Sequence, residues 1–489
     1  MSIIKTILKI VGASLLGLII SLSILFYYAK GEETKGYAFN LAVESQKGPI
    51  LAGFSKQSIV PKQLKNMWMA GFGNNREATG VHDPLWARAI VIQRGDIKIA
   101  LVVLDAIGLF YDDVVDIRTT LQTDLDIDYV MVSSTHCHES PDLIGIWGPE
   151  SGRTGVDDNY LAYVKSQSVA AIKQAHSRLE KVKIEHYQDD ESAKPLLEDT
   201  RNPLITDHSL KGLVFYSKNT DSVVGSLISW ANHPEVLWSE NTLISSDFVH
   251  YVREGVENGV EVKGKRIPGL GGISVYINGA VGGLMTTSPS WEVKSLKTGE
   301  MLTGATFERA EAVGDTLAYI YLKKVMNSHG SIIENERLAI AVKTIYLPLK
   351  NINFRLGMIA RVIKRGLSGW SRKVKSEVAY IELGPLSIVT VPGEIYPEIV
   401  NGGVEAPTGQ DYDITPVEVP ALRKLMGGKH KYVFGITNDF IGYIVPKSQW
   451  DVKEPYTYKQ TGAPYGEVNS LGPDTAPIVY QALKSLIIK

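Results

Sequence analysis

Twenty consecutive residues near the N-terminus, Ile10 to Ala29 (IVGASLLGLIISLSILFYYA), carry no charge. At 1.5 Å per residue a helix of that length spans about 30 Å, the thickness of a bilayer's hydrocarbon core. Lys5 and Lys9 precede it, and Tyr27 and Tyr28 stand at its exit, where an aromatic belt falls. The stretch is longer than the apolar region of a cleaved signal peptide, although Ala29-Lys30-Gly31 offers a small-x-small cleavage site. Residues 1–30 are therefore expected to be a single-pass anchor, with the rest of the chain outside the cytoplasm. If the segment is cleaved, the product is secreted. Lys30 and Lys35 balance Lys5 and Lys9, so orientation is only weakly specified.

Residues 31–50 read as a polar tether, and residues 51–489 as one large domain. There the composition is ordinary for a globular protein. Of the 489 residues 44% are hydrophobic and 21% charged, which excludes wholesale disorder. Lys and Arg number 51 against 53 Asp and Glu, a balance that gives no electrostatic basis for binding nucleic acid. The single cysteine, Cys137, excludes an intrachain disulfide and a cysteine-based zinc site.

Apolar, β-branched runs predict strands at Ala89–Gln93, Ile97–Leu104, Tyr129–Ser133, Gly212–Tyr216, Val223–Trp230, Ser274–Ile277, Ala339–Leu347, Val378–Leu383 and Leu386–Val391. Helices are expected over 112–123 and 158–180. Their alternation with the early strands predicts a mixed α/β or α+β core. Residues 352–375 form a basic, amphipathic insertion with Arg355, Arg361, Lys364, Arg365, Arg372, Lys373 and Lys375. It reads either as a solvated face or as a membrane-surface contact.

The strongest chemical signal is Ser134-Thr135-His136-Cys137-His138, directly after the run Tyr129–Val132. If the segment stays extended, His136 and His138 point one way and Cys137 the other. Paired imidazoles at the end of a buried strand are a common start to a zinc site. Asn232-His233-Pro234 also follows an apolar run and offers a third imidazole. Val391-Pro392-Gly393-Glu394 places a carboxylate just past a strand. Read alone, that glutamate is an ordinary helix N-terminal residue. Tyr443 lies among glycines and aromatics, where a phenol packs, binds metal or stabilises an oxyanion.

Taken in order, Met69-Ala70-Gly71-Phe72, Thr79 to Ala89, Ser134 to His138, Asn232-His233-Pro234, Pro392-Gly393-Glu394 and Gly442-Tyr443 resemble the neutral/alkaline non-lysosomal ceramidase family in its N-terminal catalytic domain. The resemblance covers roughly residues 50 to 485. It implies a zinc-dependent amidohydrolase in which His136, His233, Glu394 and Tyr443 bind Zn²⁺ and His138 is a hydrogen-bonding residue beside the metal. It also places His82, in a motif shared with Arg88, near the active site. Asn278 and the glycine-rich backbone after it are expected to hydrogen-bond substrate, and Asp83 or Asp105 to orient a ligand histidine.

Two departures stand out. Gly283 occupies a position where the family has a serine implicated in catalysis. The sequence is also expected to lack the further C-terminal β-sandwich domain of ceramidases proper. The expected substrate is a lipid-like amide, ceramide or a related N-acyl amide, hydrolysed by metal-activated water. A zinc esterase or lactonase is one alternative; the two-metal β-lactamase pattern fails at Ser140 and Pro141. A catalytically inactive, membrane-tethered binding module is the other, favoured by Gly283.

Overall fold

The computed structural model describes residues 2–29, 39–45, 47–122, 124–283, 285–334, 337–368 and 372–487. A first helix, α1 (Ser2–Ala29), contains a window, Ile3–Ile24, long and apolar enough to cross a bilayer, none of it buried. Tyr27 and Tyr28 lie on that helix, but their side chains are outside the described residues, as are Lys30 and Lys35.

The predicted tether is shorter than expected. Residues 31–38 lie outside the described residues, but Asn40–Ser45 form a strand, β1, and β2 begins at Ile50 (Ile50–Ser58). Leu41 and Val43 of β1 pack on the core, and that apolar alternation inside a polar segment is the signal the tether reading passed over.

The largest element is a nine-stranded sheet. Besides β2 it contains β3 (Trp86–Arg94), β4 (Ile97–Leu104), β5 (Tyr129–Ser134), β6 (Glu180–Asp189), β7 (Leu210–Ser217), β8 (Val223–Trp230), β9 (Ile273–Asn278) and β10 (Ser331–Ile333). The order across it is β9-β8-β7-β6-β2-β3-β4-β5, with β10 beside β6. The outermost pairs, β8 with β9 and β4 with β5, are parallel, and the strands between run antiparallel. The sheet curls, so that β9 on one edge packs against β4 and β5 on the other.

A second, five-stranded sheet runs β1-β11-β12-β13-β15, where β11 is Leu338–Pro348, β12 Lys373–Leu383, β13 Leu386–Thr390 and β15 His430–Phe434. Between β13 and β15 lies the two-residue strand β14 (Glu394–Ile395), which pairs in parallel with β16 (Tyr443–Ile444).

Side chains sort by the two-residue period of a strand. Ile97, Ile99, Leu101 and Val103 of β4 face the layer between the sheets, with Tyr129, Phe215, Ile381 and Phe434. Ala100, Val102 and Leu104 face outward onto α2 (Tyr111–Gln122) and α3 (Asp158–Ser177). Small residues on that outer face let the helices approach closely. Helix α3 starts at Asp157, whose carboxylate accepts from the Tyr160 N–H at 2.8 Å, an N-cap worth about 1 kcal/mol. Helices α4 (Phe248–Asn258) and α5 (Phe307–Asn327) pack together across the β7–β9 region.

The expected mixed α/β architecture is thus present. The basic insertion is not one amphipathic unit. Its start is a short helix, α6 (Ile352–Ile359), its end belongs to β12, which begins at Lys373 rather than Val378, and Arg365 is buried.

Candidate metal centre

The chain ends of β5, β8, β9 and β13 all point to one place, where the edges of the curled sheet meet the second sheet. His136 and His138 follow β5, His233 follows β8, and Glu394 follows β13. Asn278, the last residue of β9, holds the first two loops together. Its amide nitrogen donates to Thr135 O at 3.0 Å and Asn232 O at 2.9 Å, while its oxygen accepts from the Asn232 and Gly279 N–H groups. The His138 N–H donates to Pro234 O at 3.0 Å, fixing the same two loops a second time.

His136 has a left-handed backbone, φ 68°, so the segment is not extended as expected. A non-glycine residue there costs of order 1–2 kcal/mol, and the surrounding backbone hydrogen bonds hold it. The two imidazoles still converge, with ring centroids 5.0 Å apart, and Cys137 turns away, donating its thiol to Ser245 O at 3.0 Å. Gly71 (φ 98°) makes room, because a Cβ there would overlap the His138 ring at 2.4 Å.

Ligand atoms of His136, His138 and His233 lie within 4.8 Å of one another, and all three residues are buried. His136 Nδ1 donates to Ile107 O at 2.8 Å, and His233 Nδ1 to Met285 O at 2.7 Å. A carbonyl oxygen only accepts, so each Nδ1 carries a proton, and a neutral ring then presents its Nε2 lone pair inward. The inward partner is Glu394: its Oε2 lies 3.4 Å from His136 Nε2 and 3.1 Å from His233 Nε2. Glu394 and Tyr443 are paired residues in the β14–β16 ladder, which delivers the phenol to 3.5 Å from His233 Nε2. Gly442 (φ 74°) permits this, since a Cβ there would strike Asn469 O at 2.1 Å.

With both imidazoles neutral, three electron-pair donors face one another. Only a cation or extra protons relieve that arrangement. The electrostatics say the same. Burial raises the Glu394 carboxyl, yet the His136 and His233 imidazoles hold it well below the usual carboxylate range. Burial lowers His233, yet the Glu394 hydrogen bond and the Glu235 charge push it up to about 9. A set of imidazole nitrogens, a carboxylate and a phenol suits zinc, so the residues present fit that ion.

His138 differs from the other two histidines. Burial pushes it down to about 4 against the opposing charge of Glu235. Glu235 Oε2 lies 3.0 Å from His138 Nδ1, but neither ring nitrogen makes a directed hydrogen bond. Glu235 was not singled out in the sequence; its only signal is an acid two residues past His233. Thr286 donates to its other oxygen at 2.7 Å.

The centre opens into a cavity with mostly apolar walls that include Ile107, Phe110, Ile144, Trp147, Phe354 and Met358. Arg365 belongs to the wall too, paired there with Asp439, whose Oδ1 also accepts from the Tyr111 N–H at 3.0 Å.

Several expected site residues are elsewhere. His82 does not line the cavity; its ring stacks on Phe307 at 3.6 Å and contacts Asp83. Arg88 is buried in an ion pair with Glu257. Asn278 spends every polar atom on backbone and has none left for substrate. Neither Asp83 nor Asp105 orients a histidine of the centre, because backbone carbonyls do. Asp105 instead binds Arg253 with both oxygens, at 2.7 and 2.8 Å. A Cβ at Gly283 would meet the Asp199 carboxylate at 3.3 Å and Pro397, outside the cavity.

The mixed α/β fold is similar to that of neutral ceramidases. The chain superimposes on the crystal structure of neutral ceramidase from Pseudomonas aeruginosa with a TM-score of 0.68 at 15% identity, covering 90% of this chain and 74% of that one. A ceramidase structure described as complexed with C2 matches with a TM-score of 0.64 at 14% identity, over 90% of this chain and 75% of that one. Residues 51–270 match the model of the family neutral/alkaline non-lysosomal ceramidase, N-terminal, so the resemblance read from the motifs is borne out. A comparison with curated proteins gives no match.

Proposed function

We propose that the protein is a zinc-dependent amidohydrolase acting on ceramide or a related N-acyl amide, with the ion held by His136, His233, Glu394 and Tyr443. The observation that carries this reading is the convergence of two imidazole lone pairs on the Glu394 carboxylate, at 3.4 and 3.1 Å. Zinc, when bound, supplies a Lewis acid that polarises a carbonyl and lowers the pKa of water towards about 7.

The chain's own groups do the rest. His136 and His233 are fixed in one tautomer by Ile107 O and Met285 O, so their Nε2 atoms need no reorganisation. His138, pushed down to about 4 by burial, stays neutral near pH 7 and can take up a proton at Nε2, with Glu235 beside Nδ1 to stabilise the imidazolium. Without an ion, burial and then the Glu394 charge push the Tyr443 phenol well up, a shift that a bound cation opposes. The apolar walls exclude water and accept a hydrocarbon chain. Asn278 acts as a positioning residue for the loops that bear the histidines.

Gly283 does not favour the inactive binding module, since a side chain there is directed at Asp199 and Pro397. The test is turnover of an N-acyl sphingoid amide by the full chain, beside the ester of the same acyl group. The amide is expected to be cleaved, and Glu394→Gln to lower kcat/KM by at least about a hundredfold. Cleavage of the ester alone would replace the amidase reading with the esterase one.

A further inference from the structure

Both faces of helix α6 are apolar. Phe354 and Met358, one turn apart, line the cavity. Ile352 and Leu356, one turn apart on the opposite side, are 56% and 55% exposed. Asn353 and Arg355 apart, the helix carries no polar side chain, and exposed apolar residues on a short surface helix are common where a second apolar phase covers them. The neighbouring segment behaves alike. Tyr465 lines the cavity and is 54% exposed, and Val468 is exposed beside it. The two segments are fastened edge to edge: Asn351 Nδ2 donates to Val468 O and Ser470 O, both at 2.9 Å. Ile146 also lines the cavity and is exposed.

The rim residues themselves carry no charge, and Arg355 of α6 donates to Leu349 O. Lys364 is paired with Asp158 and Arg365 with Asp439, while Lys373 and Lys375 sit in β12. One further element of the chain lies alongside: Cα atoms of α1, the helix with the candidate span Ile3–Ile24, come within 8 Å of those of α6. A bilayer crossed by α1 therefore lies close to α6.

We infer that the rim formed by Ile352, Leu356, Tyr465, Val468 and Ile146 docks on a lipid bilayer surface, setting the cavity mouth against the membrane. The occupant is the interfacial region of a zwitterionic bilayer, entered by apolar side chains rather than held by charge. The inference rests on the lipid-amide reading for its purpose: an N-acyl lipid would pass from the bilayer into the cavity along Phe354 and Met358 without crossing water.

The test reads depth rather than turnover, so it stands or falls separately from the amidase reading. Because Cys137 is buried, a single added cysteine can be labelled selectively. Leu356→Cys and Val468→Cys, each in the full chain reconstituted in phosphatidylcholine vesicles, carry an environment-sensitive fluorophore. Ile332→Cys, exposed on β10 and not bordering the cavity, is the control. Nitroxide-bearing lipid is expected to quench the labels at 356 and 468 and spare the label at 332, with aqueous iodide doing the reverse. Strong iodide quenching at 356 and 468, with no loss to nitroxide lipid, would overturn the inference. Two positions keep it testable if one variant fails to fold.

Discussion

At the scale of single residues, the account turns on lone pairs. Glu394, His136 and His233 were chosen from three separate motifs, and the structure brings both imidazoles within 3.4 Å of one Glu394 oxygen. What the motifs could not show is why each ring faces inward; that depends on Ile107 O and Met285 O, backbone atoms without a sequence signature. The same blindness explains Asn278 and His82. An asparagine at a strand end among glycines has the composition of a substrate-binding group, but its partners here are backbone. Asn278→Ala is expected to destabilise the fold by about 2–4 kcal/mol, because it strands buried amide and carbonyl groups of residues 135, 232 and 279. Urea unfolding would show it as a lower midpoint at unchanged slope.

A second residue-level prediction concerns acid stability. The His186 ring stacks on His430 at 3.7 Å, and burial, then the His430 charge, push His186 down to about 3. Unfolded, it titrates near 6.5. The unfolded chain therefore binds more protons between these values, and stability is lost as pH falls from about 6.5 towards 3. His186→Phe should flatten the fall of Tm over that window. An unchanged pH profile would show that other groups govern acid unfolding.

At the scale of elements, strands with unbroken apolar runs were legible to within a residue or two, as β4, β5 and β8 show. Strand β6 was not. Its sequence, EKVKIEHYQD, buries Val182, Ile184 and His186 on one face, while Lys181, Lys183 and Glu185 stand on the other beside buried Tyr187. A histidine on the buried face breaks the apolar alternation. The end of the basic insertion was misread for a related reason, since Lys373 and Lys375 decorate the open face of β12. Arg365 shows the limit of charge counting: Asp439 claims it from 74 residues away. The layers are also joined by a buried pair that no periodicity reveals. Arg118 of α2 meets both oxygens of Glu377 of β12, at 2.8 and 2.7 Å. Glu377→Gln removes the negative charge opposite the buried guanidinium and is expected to cost about 3–5 kcal/mol. A loss below about 1 kcal/mol would mean that water reaches the pair.

At the scale of the whole molecule, the edges of the curled sheet supply two histidine loops and the second sheet supplies the carboxylate and the phenol. The site therefore exists only in the assembled fold, and an ion bound there stabilises the folded state alone. Removing metal with a chelator is expected to lower Tm in the parent and leave it unchanged in a His136→Ala, His233→Ala variant. The most direct test of the central claim is zinc per chain, by elemental analysis, for the full-length protein and for that double variant. The account predicts about one zinc in the parent and none in the variant. A well-folded parent that holds no zinc even when zinc is supplied would contradict it.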